Sequence, residues 1–318
     1  MYRHICCRII FEIEFLCRGV LYLECLCFFE NFLCKMEKCL IVQNINKNAA
    51  NFQKKVYDIK NGSMKGLVTM LTKIEFKLTS SSELSFQMSS LFHGALMELL
   101  PVEYADYLHT SQLHPYTQHL ERRDGEWYWI VSCLNDEANS IIIKKTLQET
   151  KMIELKKHHI NVFLEPVNIK SITEKEMMGR FYKEDSAKYI QIHFVSPTAF
   201  KQKGQYVFYP NIRCIFQSLM SKYDAAVGEN QMLDEETLNQ LSDHAMITRY
   251  DLKSVSFSLE GVRIPAFVGK ITIKMRGTQT MANFANMLIQ FGEFSGVGIK
   301  TTLGMGAIKI IDERSKKC

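Results

Sequence analysis

Four glycines near the C-terminus restrict this chain more than any other feature. Gly296-Val-Gly298-Ile-Lys300-Thr-Thr-Leu-Gly304-Met-Gly306 reads as Gly-apolar-Gly, five spacers, Gly-apolar-Gly. The chain has only 16 glycines in 318 residues, so this concentration has a cause. Glycine is required where φ is positive or where another backbone approaches closely. Two such clusters predict a loop closed at both ends against a bulky partner. A phosphate backbone is one such partner, because successive bare N–H groups form an anion-binding concavity. Two familiar phosphate loops fail the test. A Walker loop would need glycine where Phe294 and Ile299 stand. A dinucleotide fingerprint from Gly296 would need glycine in place of Thr301, and a preceding strand. Instead Met281, Phe284, Ala285, Leu288 and Ile289 recur at helical spacing, with Thr278 or Thr280 to cap the helix and Gly292 to end it. Ala307 to Ile311 reads as a strand, so the order is helix, glycine loop, last strand.

A length of 318 residues accommodates two modest domains, and a formal charge of +5 permits an anionic partner through local basic patches without demanding one. Seven of the ten cysteines crowd into the first 39 residues. That region carries Arg8, Glu12, Glu14, Arg18, Glu24 and Glu30, which leave no uncharged stretch near the ~18 residues of a membrane span. The same charges break a signal-peptide pattern. Cys6-Cys7 and Cys25-Leu-Cys27 lack zinc-site spacing. The Asn/Lys-rich segment after Met36 reads as linker, so residues 1–69 are expected to be an extension outside the functional fold. The remainder reads as cytosolic, with reduced thiols.

Within residues 70–184, Leu71 to Leu78 alternates as a half-buried strand, and Ser80 to Ser85 offers a cap. Met88, Leu91, Phe92, Ala95 and Leu99 then form a helical stripe that halts at Pro101. His93 falls on its flank. A second helical turn, Val102 to Leu108, leads to His109. Strands are expected at Tyr116–Leu120, Trp127–Cys133 and Met152–Phe163, with a helix over Asp136–Leu147. This is βαββαβ, the ferredoxin-like order. His93, His109, His114 and His119 lie close together in sequence, and imidazole titrates near neutral pH without help, which favours proton chemistry. The spacing His109-x4-His114-x4-His119 could gather three imidazoles on a metal. No carboxylate or cysteine completes a familiar site, and none is expected.

Within residues 185–318, Lys188 to Val195 reads as a strand ending in the turn Ser196-Pro197-Thr198-Ala199-Phe200, followed by Lys201 and Lys203. Pro210 can open a helix with Ile212, Ile215, Phe216, Leu219 and Met220 on one stripe. Glu229 to Asp243 reads as loop or a loosely packed helix. Val255, Phe257 and Leu259 alternate with serines, and Glu260-Gly261 turns the chain into Phe267 to Arg276. There Phe267, Ile271, Ile273 and Met275 are expected to face the core, with Lys270, Thr272, Lys274 and Arg276 as a basic row on the open sheet face, where cations can track phosphates. The last helix, glycine loop and strand complete a second βαββαβ. The expected class is therefore α+β, two tandem ferredoxin-like domains with a C-terminal glycine-rich loop.

The helix, glycine loop and strand, the turn at Ser196 to Phe200 and the duplicated fold together resemble the CRISPR-associated endoribonucleases that cut repeat RNA into guide RNAs. The resemblance covers roughly Met70 to Ile311. It implies a metal-independent, cofactor-free cleavage by 2′-hydroxyl attack that leaves a 5′-hydroxyl and a 2′,3′-cyclic phosphate. In Tyr104-Ala-Asp-Tyr-Leu108-His109, the histidine looks like the catalytic one of that family. His93 falls where relatives carry an assisting tyrosine, and His114 near a third position that is usually lysine. Gly296, Gly298, Lys300, Gly304 and Gly306 would hold RNA, with Lys201, Lys203, Lys270, Lys274 and Arg276. CRISPR repeat RNA is the implied partner, and other effector subunits or a second copy of the chain are further ones. A catalytically silent repeat-binding relative and a structural subunit of an RNA-guided effector are the alternatives.

Overall fold

The computed structural model describes residues 70–111, 113–183, 186–227 and 232–311, so the expected N-terminal extension lies outside the described residues. Alternating burial along β1 (Met70–Ser80) puts Ile74, Phe76 and Leu78 on one face. The other first-half strands are β2 (Tyr116–Arg123), β3 (Glu126–Cys133), β4 (Met152–Leu155) and β5 (Ile160–Thr173), in the antiparallel order β2-β3-β1-β5-β4. Helices α1 (Ser89–Leu99), α2 (Val102–Thr110) and α3 (Asp136–Ala138, continued by π-helical Asn139–Leu147) cover one face of this sheet. Their Phe92, Leu96, Tyr104, Leu108, Ile142 and Leu147 close over Ile74, Phe76, Trp129 and Val131, and Trp129 packs edge-on against Phe92 at 5.3 Å.

Several boundaries depart from the expectations, each for a local reason. The expected strand Met152–Phe163 is two strands around a 3-10 turn, where His159 takes a left-handed φ of 53°, and the second of them runs on to Thr173. No serine caps α1; the chain enters it through a 3-10 turn, Phe86–Met88, and Ser89 Oγ donates to Phe86 O instead. His109 lies inside the last turn of α2 rather than after it.

After α4 (Glu174–Lys183), the second half repeats the pattern. Strand β6 (Tyr189–Thr198), a small hairpin of β7 (Phe200–Gln202) and β8 (Gln205–Val207), and α5 (Ile212–Val227) come first. Then follow α6 (Glu235–His244), β9 (Ala245–Leu259), β10 (Val262–Met275), α7 (Gln279–Ser295) and β11 (Ile308–Ile310). The sheet order is β11-β6-β10-β9, the ferredoxin-like arrangement, as is β2-β3-β1-β5 in the first sheet. The polar stretch expected as loop holds α6, capped by Asp234, whose side chain accepts from Thr237 N at 2.8 Å. Thr278 caps α7, but Gly292 does not end it: the helix runs on to Ser295, and Gly292 leaves room for Ile308 and Leu219. Phe267, Ile271, Ile273 and Met275 are buried as expected.

The two halves belong to one compact unit and meet across the sheet faces that their own helices leave open. Thr117 Oγ1 donates to Phe294 O at the end of α7 (2.7 Å), and Lys73 Nζ lies 4.9 Å from the Phe294 ring centre. Lys309 of β11 reaches Glu121 of β2 at 2.5 Å, and Arg123 bridges Glu121 and Glu75 at 2.8 and 2.7 Å.

Candidate functional site

In α1, Phe92, Ala95 and Leu96 are buried, and one helical step of about 100° from Phe92 leaves His93 half-buried at the edge of that stripe. Its Nδ1 lies 2.8 Å from Tyr116 Oη, with the two rings parallel within 7° and 6.3 Å apart. Tyr116, fully buried, opens β2. His114, two residues earlier, sets its ring 6.1 Å from the same tyrosine, and its buried Nδ1 has no hydrogen-bond partner among the described residues. His109 stands exposed one step beyond Leu108, which anchors α2 in the core.

Burial lowers the His93 pKa to about 4, and repulsion from His114 and His109 adds to it. Burial likewise lowers His114, again with help from His109. Repulsion among the three places them in one electrostatic neighbourhood, with His93 and His114 neutral at pH 7. A neutral imidazole can accept a proton or donate a hydrogen bond, so the cluster is equipped for general acid–base work.

His119 is not part of it. Strand alternation turns His119 away from Tyr116 toward the other half, where its Nε2 is 3.9 Å from Glu121, too far for a hydrogen bond. Burial pushes the Glu121 carboxyl up, but the hydrogen bonds and charges of Arg123 and Lys309 outweigh it and hold it well below the carboxylate range. Among the described residues, no three His, Cys, Asp or Glu side chains are arranged to hold a metal ion.

The glycine loop is filled by the protein's own chain. A Cβ on Gly298 would lie 2.2 Å from Ala199 O, and one on Gly304 would lie 2.1 Å from Ser89 Cβ. Both positions have positive φ, 78° and 104°. The backbone amides are similarly committed: Val297 N donates to Gly306 O, Ile299 N to Ala199 O, Gly306 N to Pro197 O and Gly296 N to Gly292 O. Gly298 N donates to Ser218 Oγ and Ala307 N to Ser196 Oγ. This removes the amides of Gly296, Val297, Gly298, Ile299 and Gly306 from the anion cradle expected of the loop. The turn expected at Ser196 to Phe200 is corrected as well. Ser196, Pro197 and Thr198 end β6, and the segment through Ala199 is the seat on which the glycine loop rests. On the far side, a 3-10 turn, Thr301–Leu303, docks against the first half: Gln118 Nε2 donates to both Ser89 O and Thr302 O, and Gln118 Oε1 accepts from Trp129. The loop therefore fastens the second half to the helix that carries His93.

Lys300 stands exposed at the loop's apex with a left-handed φ of 56°. Lys201 and Lys203 are exposed on the β7–β8 hairpin, Lys203 forming its turn with Gly204. Lys270 is exposed on β10, flanked through β6 by His193 and then Lys309. Lys274 packs 5.2 Å from the Tyr189 ring centre, and Arg276 is exposed just past the strand. The basic row thus exists, but Lys309 at its margin is engaged with Glu121 rather than open to solvent on both sides.

One residue of this region escaped the sequence reading. Lys222, on the buried side of α5, donates to Ser295 O, Gly296 O and Thr301 Oγ1 at 3.1 to 3.3 Å. It lines a small cavity with His114, Leu113 and Pro115, so it links the loop to the imidazoles. Burial pulls its ammonium down to about 7, while three acceptors favour the charged form, because a neutral amine has two N–H donors. A signal was present: three residues past Leu219 on the same helical stripe, a lysine is out of place.

Comparison with known proteins agrees with this architecture. A family model described as "CRISPR-associated endoribonuclease Cas6" matches residues 192–308. A Streptococcus thermophilus protein of that name is 39% identical over 225 residues, covering 70% of this chain and 91% of the relative. One from Mycobacterium tuberculosis is 33% identical over 220 residues, covering 69% and 70%. Among solved structures, a Cas6 product complex superimposes with a TM-score of 0.62 at 19% identity, covering 76% of this chain and all of the other. Thermus thermophilus Cas6 gives 0.58 at 17% identity, covering 77% and 100%. With the duplicated fold and these relatives in hand, the chain belongs to the CRISPR-associated endoribonuclease Cas6 family.

Proposed function

We propose that this protein is a metal-independent endoribonuclease that cuts CRISPR repeat RNA to release guide RNAs. The observation that carries the reading is the gathering of His93 and His114 around Tyr116, both neutral at pH 7, with the exposed His109 close enough to act electrostatically on both. The ribose supplies the nucleophile: the 2′-oxygen bonds to the adjacent phosphorus as its proton passes to a base, and the bond from phosphorus to the 5′-oxygen breaks as an acid protonates that oxygen. The products are a 2′,3′-cyclic phosphate and a 5′-hydroxyl. His109, the exposed member, is the main proton-transfer group, and His93 or His114 takes the reciprocal role. Lys300, Lys201, Lys203, Lys270, Lys274 and Arg276 hold the phosphates, and the glycines of the loop set where Lys300 stands. Residues 70–184 supply the imidazoles and 185–318 the loop and the basic row. Other effector subunits and a second copy of the chain are further partners on this reading.

The test is incubation of repeat RNA with the protein and excess chelator. Wild type is expected to cut, and His109→Ala to lose roughly 10²- to 10⁴-fold in rate while still binding. An RNA with deoxyribose at the cut site is expected to resist. Cleavage of that RNA at the normal rate refutes the mechanism, and tight binding without cleavage by wild type establishes a repeat-binding relative instead.

A further inference from the structure

The best-defined contact in the histidine cluster involves a residue that the reaction scheme does not use. Tyr116 is fully buried, and its hydroxyl is 2.8 Å from His93 Nδ1. A phenol carries one O–H donor, and His93 Nδ1 is the acceptor it meets among the described residues. Were Nδ1 protonated and donating to Oη, the phenolic proton would be left buried without an acceptor, a costly arrangement. Burial also pushes the Tyr116 hydroxyl far above its usual range, so it stays protonated and remains a donor. Nδ1 of His93 is therefore the acceptor, and the neutral ring carries its proton on Nε2. The near-parallel stacking of the two rings, at 7°, limits rotation that would exchange the nitrogens.

We propose that Tyr116 is a positioning residue that locks His93 in its Nε2–H tautomer, so that His93 serves the reaction as a neutral hydrogen-bond donor to a phosphate oxygen and not as the base. The catalytic half of this statement rests on the nuclease reading above. The reciprocal proton transfer then falls to His114, whose ring burial keeps neutral and able to take a proton; its buried Nδ1 is not the nitrogen that meets RNA. His93 Nε2–H stabilises charge as it builds on the phosphate, a contribution realised in the transition state.

The experiment joins 15N NMR of histidine-labelled protein with cleavage kinetics, comparing wild type and Tyr116→Phe, a substitution that keeps the buried ring. The His93 signals are identified by their loss in His93→Gln. Wild type is expected to show an unprotonated Nδ1 and a protonated Nε2, and Tyr116→Phe a mixture of the two tautomers. The variant's kcat should fall about 3- to 10-fold, as loss of one hydrogen bond implies, with KM unchanged. A wild-type spectrum with the proton on Nδ1 overturns the tautomer assignment whether or not RNA is cut. An altered tautomer with unchanged kcat overturns the catalytic half. A protein with the expected spectrum that cuts no repeat RNA fails the nuclease reading, and the catalytic half with it, while the tautomer assignment stands.

Discussion

Replacing Gly304 by alanine tests the link between the glycine loop and α1. The added Cβ would lie 2.1 Å from Ser89 Cβ and 2.6 Å from Ser89 Oγ, at a φ of +104°. Left-handed backbone costs a residue with a Cβ about 1–2 kcal/mol, and overpacking typically about 1–3 kcal/mol. Together they predict a loss of about 2–5 kcal/mol. Ser89→Gly removes the obstructing atoms and leaves Ser89 Cα as the nearest neighbour, at an ordinary 3.6 Å. Alone it forfeits the bond from Ser89 Oγ to Phe86 O and places glycine in a helix, about 1–2 kcal/mol in all. The double variant should therefore cost about 1–3 kcal/mol less than the sum of the singles, because only the backbone strain survives. Gly204→Ala is the control: its φ of +82° is comparable, but nothing lies within 4 Å of the new Cβ. Urea unfolding with matched m-values measures all four. Additivity within about 0.5 kcal/mol, or equal losses for Gly304→Ala and Gly204→Ala, would refute the steric argument.

Two further outcomes follow from the same geometry. Burial lowers Lys222 to about 7 from 10.5, so between those pH values the unfolded chain binds a proton that the folded chain does not, and stability rises with pH across that window; Lys222→Met should flatten this rise in urea midpoints measured from pH 7 to 10, and an unchanged slope would show that the three oxygen acceptors keep the amine charged throughout. If Lys270, Lys274, Arg276 and Lys300 each neutralise a phosphate, each alanine variant should reduce the slope of log affinity against log salt by about 0.7, read by filter binding of uncleavable repeat RNA, whereas an unchanged slope removes that residue from the interface.

Much of the fold was legible because its cause is local. Alternation wrote β1 and β10 into the sequence, and the repeated order of elements wrote the duplication. Legibility failed where a distant contact decides. Gly292 looks like a helix terminator, but its missing side chain makes room for Ile308 and Leu219, so α7 passes through it. Met152 to Phe163 looks like one strand because the apolar pattern continues across the turn that His159 makes with a left-handed backbone. Asp124-Gly125, at φ 51° and 87°, forms the same tight hairpin turn as Glu260-Gly261, and its Asp-Gly pair is a signal that the sequence reading passed over.

The histidines and the glycines fall on opposite sides of that divide. An imidazole announces its chemistry by residue type, and two of the four clustered in sequence, His93 and His114, do meet at Tyr116, with His109 acting on both electrostatically; His119 is lost to them because strand alternation sends it to the opposite face. A glycine announces only that something passes close by. Here Ala199 O and Ser89 Cβ occupy the space at Gly298 and Gly304, residues some hundred and two hundred positions earlier in the chain. The loop's conformation is set by those contacts and by Lys222, which fix Lys300 relative to α1 and His93; on the proposed function, that is the point the loop offers to RNA. A mount of this kind fixes the basic apex against α1, the helix that carries His93, and the same contacts that engage the flanking amides hold the two halves together at that point.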